Sequence, residues 1–555
     1  MQLGKCQKTP KMKKNIILII VDGLRWDAFK DLEVASQLWP NLARMAKTGE
    51  CHRVVANAPA TQFVMPSIYS SSYPLDFGGY NFGVASRPNV FAECLQASGY
   101  ETHLMSLCNQ LTIGSGYNRG FSHRYVALDY WFSFEYLLSK VFQEDALRVT
   151  ENEDSSENGQ KRIISQYKDF LTSLLKDDGD IRKTSTNKAN LRSNARIIKK
   201  IDREMRFASE NPDKLLKRIQ SMPPEKFVAS VGEQEGRLKG RTFLTYIKIA
   251  VRWRLLRQLN KIGFPFTWRT GRCLLISDIW PVIDNFFASA KSSPWYLHFH
   301  FMEVHDSTYC NRPIHLLMRL RYYYRWRKAY KAGKTNRSWQ YDTALMYLDR
   351  YVGKIARLAS RRYASDEIIY VITGDHGRRS ANPFRTRKSI GLRLNCEDIE
   401  VPLLVSESLS EKDHQPNLDS MSIAKTILDI AKIPAPPAFK GKSIGDAGCQ
   451  IMISENTGAG LCDPMGKPIY FAAEDKQFKI IGKQHLGMVT VFELYDKKFD
   501  SEELNNLLLN TDARKTVEGL VERMIEERQN IYKCRGINRE NFDLTLEPIQ
   551  TVPGL

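Results

Sequence analysis

The stretch Ile368-Ile-Tyr-Val-Ile-Thr-Gly-Asp-His376 constrains this chain more than any other. An uncharged run rich in β-branched side chains predicts a strand buried on both faces. Polarity then switches abruptly at Thr373-Gly-Asp-His-Gly377. That C-terminal edge is where open α/β sheets place their ligands. Asp375 and His376 stand side by side between glycines that let the backbone turn. They offer one hard oxygen and one imidazole nitrogen to a divalent metal. Taken alone, the stretch fits an Asp-His turn without a metal equally well.

The same grammar recurs near the N-terminus, where Asn15-Ile-Ile-Leu-Ile-Ile-Val21 ends in Asp22-Gly-Leu-Arg-Trp-Asp27. Lys13-Lys14 before an apolar run superficially resembles a signal peptide. The run is short, no small-residue cleavage site follows, and Asp22 stops it, so it reads as a first buried strand. Asp22 alone would be a strand-end cap. Two buried strands that each deliver a carboxylate to one sheet edge favour a shared metal site of Asp22, Asp375 and His376, with Arg25 close by.

Net charge is the unusual figure in the composition, +19 over 555 residues. It points to an anionic partner: a phosphorylated or sulfated small molecule, a glycan, a lipid surface or nucleic acid. Hydrophobic residues at 43% and charged residues at 26% are ordinary for a globular chain. Ten cysteines show neither metal-finger spacing nor a dense disulfide framework, which favours a reducing compartment. No apolar run is long enough to span a bilayer. The expected location is cytoplasmic, with peripheral membrane contact open to the basic stretches.

Pro40-Asn-Leu-Ala-Arg-Met45 opens a short helix, with Pro where helix starts accept it. A loop of Pro and small residues from Asn57 then runs into a helix-like segment reaching Ser71. Thr61 is thereby placed near a helix N-terminus, where backbone N–H groups favour a developing anion. Residues 89–108 predict a helix followed by a strand. Between 120 and 290 the alternation of strands and helices is lost, and basic helical stretches over 161–222 and 238–262 mark an insertion. Their Lys and Arg residues read first as a solvated helix face and second as a contact for an anionic polymer or membrane surface, over 160–262.

Trp295 to Asp306 resumes the sheet. His298 and His300 share a strand face and can pack there, whereas His305 lies past the strand and is better placed to touch substrate. Residues 312–337 carry nine Arg or Lys, no Asp or Glu, and the run Arg321-Tyr-Tyr-Tyr-Arg-Trp-Arg327. Such interleaving suits a sugar polymer or lipid headgroups. Nucleic acid is the lesser reading, since no nucleic-acid-binding signature accompanies it. The expected layout is a disordered basic N-terminus (1–14), a catalytic α/β domain in two parts (15–119 and 291–450), the basic helical insertion (120–290) and a C-terminal subdomain and tail (451–555).

Five ordered pieces resemble the sulfatase-type members of the alkaline-phosphatase superfamily. They are the opening strand to Asp22 with Pro40-Asn41-Leu42 behind it, Val304-His305-Asp306, Tyr341 to Asp349, Ile372-Thr-Gly-Asp-His-Gly377, and Glu493-Leu-Tyr-Asp496 with Asn506-Leu507. The resemblance covers about 13–110 and 294–510, and Ser307-Thr308-Tyr309 departs from the family's His-Asp-Pro-Tyr. It implies an α/β fold with a mostly parallel sheet flanked by helices.

The nucleophile departs further. Sulfatases carry a Cys or Ser, oxidised to formylglycine, two positions before the Pro of Cys-x-Pro-Ser-Arg. Here Val64 holds that position and Ile68 replaces the Arg, which excludes formylglycine chemistry there. Thr61, five before Pro66, instead resembles the nucleophilic Thr of phosphoethanolamine transferases. Ser67 stands second, and a helix cap is the structural alternative for either.

The resemblance implies one divalent ion held by Asp22, Asp375, His376 and Thr61, with zinc or manganese suiting the mixed donors better than calcium or magnesium. It makes Thr61, His305 and Arg378 catalytic, and Arg25, His305, Arg379 and Ser67 substrate contacts. The implied activity is hydrolysis of sulfate or phosphate esters on a sugar- or lipid-linked anion through a covalent Thr61 intermediate. Transfer of a phospho-substituent to a glycan or lipid at the same site, and a catalytically dead glycan- or membrane-binding homologue, are the alternatives.

Overall fold

The computed structural model describes residues 13–126 except 81–82, 109 and 114, parts of 160–175 and 227–251, and residues 188–222, 275–289, 294–305, 316–378, 393–409, 417–446, 451–458, 467–509 and 513–548. Its first eight strands are β1 (Asn15–Val21), β2 (Glu50–Val55), β3 (Glu101–Ser106), β4 (His123–Val126), β5 (Trp295–Phe301), β6 (Ile368–Gly374), β7 (Glu400–Val405) and β8 (Leu418–Asp419). They form one sheet in the order β4-β3-β5-β1-β6-β7-β2-β8. Only β7 runs against the rest.

β1 lies between β5 and β6, parallel to both. All seven of its residues are buried, as a strand covered on two faces requires. Alternate side chains feed opposite cores. Ile16, Leu18 and Ile20 pack with α3 (Thr61–Ser70), α4 (Phe91–Ala97) and the helix Met421–Ala431. Ile17, Ile19 and Val21 pack with the earlier helices α1 (Leu32–Leu38) and α2 (Pro40–Thr48), and with Trp280–Ala288 and Trp339–Ala359. The result is the mixed α/β architecture expected, a large mostly parallel sheet flanked by helices.

A second sheet, in the order β13-β12-β11-β10-β9, comprises β9 (Met452–Asn456), β10 (Ile469–Glu474), β11 (Phe478–His485), β12 (Met488–Asp496) and β13 (Asp543–Leu546). It shares the first core, and Glu455 N donates to Asn57 O at 2.8 Å just ahead of α3. Of the basic 120–290 region, the helices Lys188–Glu210 and Pro212–Ser221 are described, while 238–250 and 252–262 lie outside the described residues. No described helix is long and apolar enough to cross a membrane.

Candidate active site

β1 and β6 run in register, Val21 opposite Gly374, so Asp22 and Asp375 leave the sheet side by side. Gly23 then turns the chain at φ +77°, a conformation L side chains resist. A Cβ on Gly23 would sit 3.6 Å from Arg378 and 3.9 Å from the His305 backbone. Three separate strand ends therefore crowd one point.

α3 supplies the fourth element, starting at Thr61 after an extended Ala60. Thr61 Oγ1 donates to Asp22 Oδ2 at 2.9 Å and lies 3.3 Å from His376 Nε2. His376 Nε2 is 3.5 Å from Asp22 Oδ1 and 3.7 Å from Asp375 Oδ2. The other ring nitrogen, Nδ1, donates to the Gly377 carbonyl at 2.6 Å. In the neutral ring this leaves the Nε2 lone pair aimed at two carboxylates and a hydroxyl.

That arrangement is electrostatically incomplete by itself. Asp375 Oδ1 accepts from the Gly23 and His376 N–H groups at 3.2 and 2.8 Å. Asp22 Oδ1 and Asp375 Oδ2 are buried without a hydrogen-bond partner among the described residues. The donor atoms of Asp22, Asp375 and His376 lie within 4.8 Å of one another. Buried carboxylate oxygens are expensive unless paired or bound to a cation, so the donor set fits one divalent ion.

The remaining predicted residues divide. Arg378 Nη1 donates to Val304 O at 2.8 Å, tying the β6 loop to the β5 loop that carries His305. Arg25 differs from its expected role against substrate. Its guanidinium is clasped by Asp27 at 3.0 and 2.6 Å, lies 3.6 Å from Glu397, and donates to the Arg378 carbonyl at 3.3 Å. Burial pulls its pKa down, but Asp27 and Glu397 override burial and raise it, so its charge is held by these two carboxylates.

Ser67, also expected to contact substrate, is fully buried inside α3, and its hydroxyl bonds to none of the described residues. Six helical residues at 100° each turn it well away from the face of Thr61. Arg379 lies outside the described residues. His298 and His300 are fully buried, and burial, against the pull of Asp375, pushes His300 down to about 4.

Tyr341 is a support that sequence reasoning missed. Its oxygen accepts from Arg25 N at 2.8 Å and donates to Gly23 O at 3.3 Å, fixing the turn after β1. Only its position at the start of a helix was visible in the sequence, and nothing local indicates what a helix start will face.

A model of the sulfatase family matches residues 14–155 and 269–433, more than half the chain. The chain belongs to the sulfatase family. No curated protein sequence matches it. Among solved structures, the phosphonate monoester hydrolase of Agrobacterium radiobacter is 14% identical, with a TM-score of 0.52 over 94% of this chain and 96% of that one. A candidate sulfatase from Bacteroides thetaiotaomicron is 13% identical, with a TM-score of 0.50 over 94% of each chain. At these identities the structural likeness is one of fold.

Membership makes this sulfatase-family protein an ester hydrolase of the alkaline-phosphatase superfamily. The family generally binds a divalent metal, and Asp22, Asp375 and His376 are the donor groups available here. Val64, two positions before Pro66, is fully buried in the apolar core one turn into α3. Thr61 at the helix start faces the donors instead.

Proposed function

We propose that this sulfatase-family protein cleaves a sulfate or phosphate ester with Thr61 as its nucleophile. The observation carrying this reading is the Thr61 hydroxyl, 2.9 Å from Asp22 Oδ2 and 3.3 Å from His376 Nε2 at the first turn of α3. Asp22, Asp375 and His376 would hold one divalent ion, zinc or manganese for this N/O set, which would supply a Lewis acid and lower the pKa of the hydroxyl.

Thr61 Oγ1 forms a bond to phosphorus or sulfur as the bond to the ester oxygen breaks, and Asp22 Oδ2 accepts its proton. The start of the ten-residue helix α3 places backbone N–H groups and the positive end of the helix dipole beside the charge that builds. Arg378 and His305, on adjoining loops beside Gly23, take the roles of cation toward the reacting group and proton donor to the leaving oxygen in this reading. Water then attacks the Thr61 ester, giving a proton to His305, while the proton held on Asp22 returns to Thr61 Oγ1 as its bond to phosphorus or sulfur breaks and the anion leaves.

The substrate we infer is a sugar- or lipid-linked anion. Its recognition would fall to the basic helix Leu316–Lys331, which follows the His305 loop and carries six Arg or Lys and no acid. Leu317 and Tyr324 on that helix are exposed, which suits a sugar or headgroup face.

Purified protein assayed with paired aryl sulfates, phosphate esters and phosphonates tests the reading. Thr61→Ala should abolish turnover with an unchanged circular dichroism spectrum, Thr61→Ser should restore part of it, and quenched reactions should show a phosphoryl or sulfuryl adduct on the Thr61 peptide. Full activity in Thr61→Ala removes the nucleophile assignment. Adding an acceptor alcohol distinguishes hydrolysis from transfer by the ratio of free anion to alcohol ester.

A further inference from the structure

A second group of metal-ligating side chains lies at the opposite end of the same sheet. Glu101 and His103 are two residues apart on β3 and therefore share a face. β4 runs parallel to β3 with His123 directly opposite His103, which puts the second imidazole on that face too. His103 Nε2 and His123 Nε2 lie 3.2 and 3.1 Å from the same oxygen, Glu101 Oε1. One donor atom from each of the three residues falls within 4.8 Å of the others.

These residues sit at the strand starts, whereas Asp22 and Asp375 sit past the strand ends. Glu101 is level with Trp295, the first residue of β5, and His103 with Leu297, which pairs with Ile17. Five residues of β1 separate that level from Asp22, about 16 Å at the usual strand rise. The two clusters cannot share an ion.

We propose that Glu101, His103 and His123 form a divalent-cation site of the zinc class, independent of the Thr61 cluster, that clamps the edge strand β4 onto β3. Two imidazoles and one carboxylate are a donor set that zinc accepts, with water from the open side as fourth ligand. Bonds of about 2.0–2.2 Å in a tetrahedron separate ligand atoms by roughly 3.3 Å. The two Glu101–imidazole separations, 3.1 and 3.2 Å, already have that spacing.

The His103 and His123 rings stack at 4.6 Å with planes 16° apart, so their in-plane lone pairs do not yet converge. His103 is buried and held edge-on by Phe286 at 4.9 Å. The His123 side chain is 45% exposed, and it is the ring that turns about χ2 to admit the ion. A clamp has a purpose here. β4 has only four residues, lies at the sheet edge, and leads into the long segment that interrupts the α/β domain.

The test is metal uptake by the EDTA-stripped full chain, read as Co2+ absorption and as Zn2+ competition with a chromogenic chelator. Asp375→Asn silences the Thr61 cluster. In that background one equivalent should still bind, with tetrahedral Co2+ bands, and at least tenfold weaker uptake should follow on adding His123→Gln or Glu101→Gln. Both substitutions are at accessible side chains, and neither should change turnover in the otherwise unmodified protein. No uptake in the Asp375→Asn protein, or uptake indifferent to both added substitutions, overturns the proposal and leaves a metal-free Glu-His-His contact. Uptake lost with His123→Gln but indifferent to Asp375→Asn would sustain this site while removing the one assigned to Asp22, Asp375 and His376.

Discussion

Two buried charge clusters flank the short segment Cys396–Glu400, one bonded to it through Cys396 and Glu400 and the other reached through the Gly377 N–H, which donates to Asp398 O at 2.7 Å, and they differ in whether their charges cancel. Around Glu400, Arg53, Lys479 and Lys497 meet Glu400, Glu474 and Glu503. Lys479–Glu503 is 2.6 Å, Lys497 is 2.8 Å from Glu400 and 2.9 Å from Glu503, and Arg53 reaches Glu400 at 3.0 Å and also pairs with Glu474. Three cations face three anions. Burial alone would raise the Glu503 carboxyl, but Lys479 and Lys497 hold it well below the ordinary carboxylate range. The Thr61 cluster sets two carboxylates and an imidazole against one hydroxyl, and the guanidinium of Arg25 is committed to Asp27. A closed set of buried charges joins parts of the fold, here the two sheets. An open set is built for something that arrives from outside.

The largest effect that would break this contrast is at the open cluster. Asp375→Asn should cut turnover by roughly three to four orders of magnitude. In EDTA it should melt no lower than the unmodified protein, because one of two opposed carboxylates is gone. A large fall in melting temperature in EDTA would mean that this cluster too is a structural brace. At the closed cluster the signs reverse. Lys479→Met should cost about 3–5 kcal/mol in urea unfolding by stranding Glu503, with kcat/KM of the folded protein unchanged.

Arg25→Gln sharpens the boundary between the two. It loosens the hold on the Arg378 carbonyl without removing a group that touches substrate. A fall of about 10–100-fold in kcat with a smaller change in KM is expected. A loss confined to KM would make Arg25 a substrate contact after all.

The smallest effect is a pH dependence away from both clusters. Asp349 accepts from Leu42 N and Asn41 Nδ2, both at 2.8 Å, yet burial raises its carboxyl to about 6. A raised folded pKa means stability that is full below the unfolded value near 3.8 and is lost as pH rises through about 6. Asp349→Asn should therefore shrink the stability difference between pH 5 and pH 8 by about 1 kcal/mol.

Much of the fold was legible because burial leaves a local signature. β1 and β6, and β7 after Glu400, are apolar runs that end at a polar residue, β5 is an aromatic-rich run broken only by His298 and His300, and each is found where its composition predicts. β2 was not legible: Glu50-Cys-His-Arg-Val-Val55 mixes charge with apolar residues, and it holds as a strand because Arg53 is neutralised by Glu400 and Glu474, far away in sequence. Ser67 looked available for chemistry from its helix, yet the packing of α3 against the core turned it inward. Arg25 looked directed at substrate until Asp27 and Glu397 were found around it.

By itself the sequence determined which chemical groups arrive at strand ends. The free energy of burying a charge-free run fixes where a strand must stop, and Asp22, Asp375 and His376 stand at the stops. Only the tertiary structure decided which of those groups meet. Partnership depends on strand order and on where α3 begins, and both are set by contacts between residues hundreds of positions apart. No local preference encodes that Val21 lies beside Gly374, or that Thr61 and not Val64 faces the open charge.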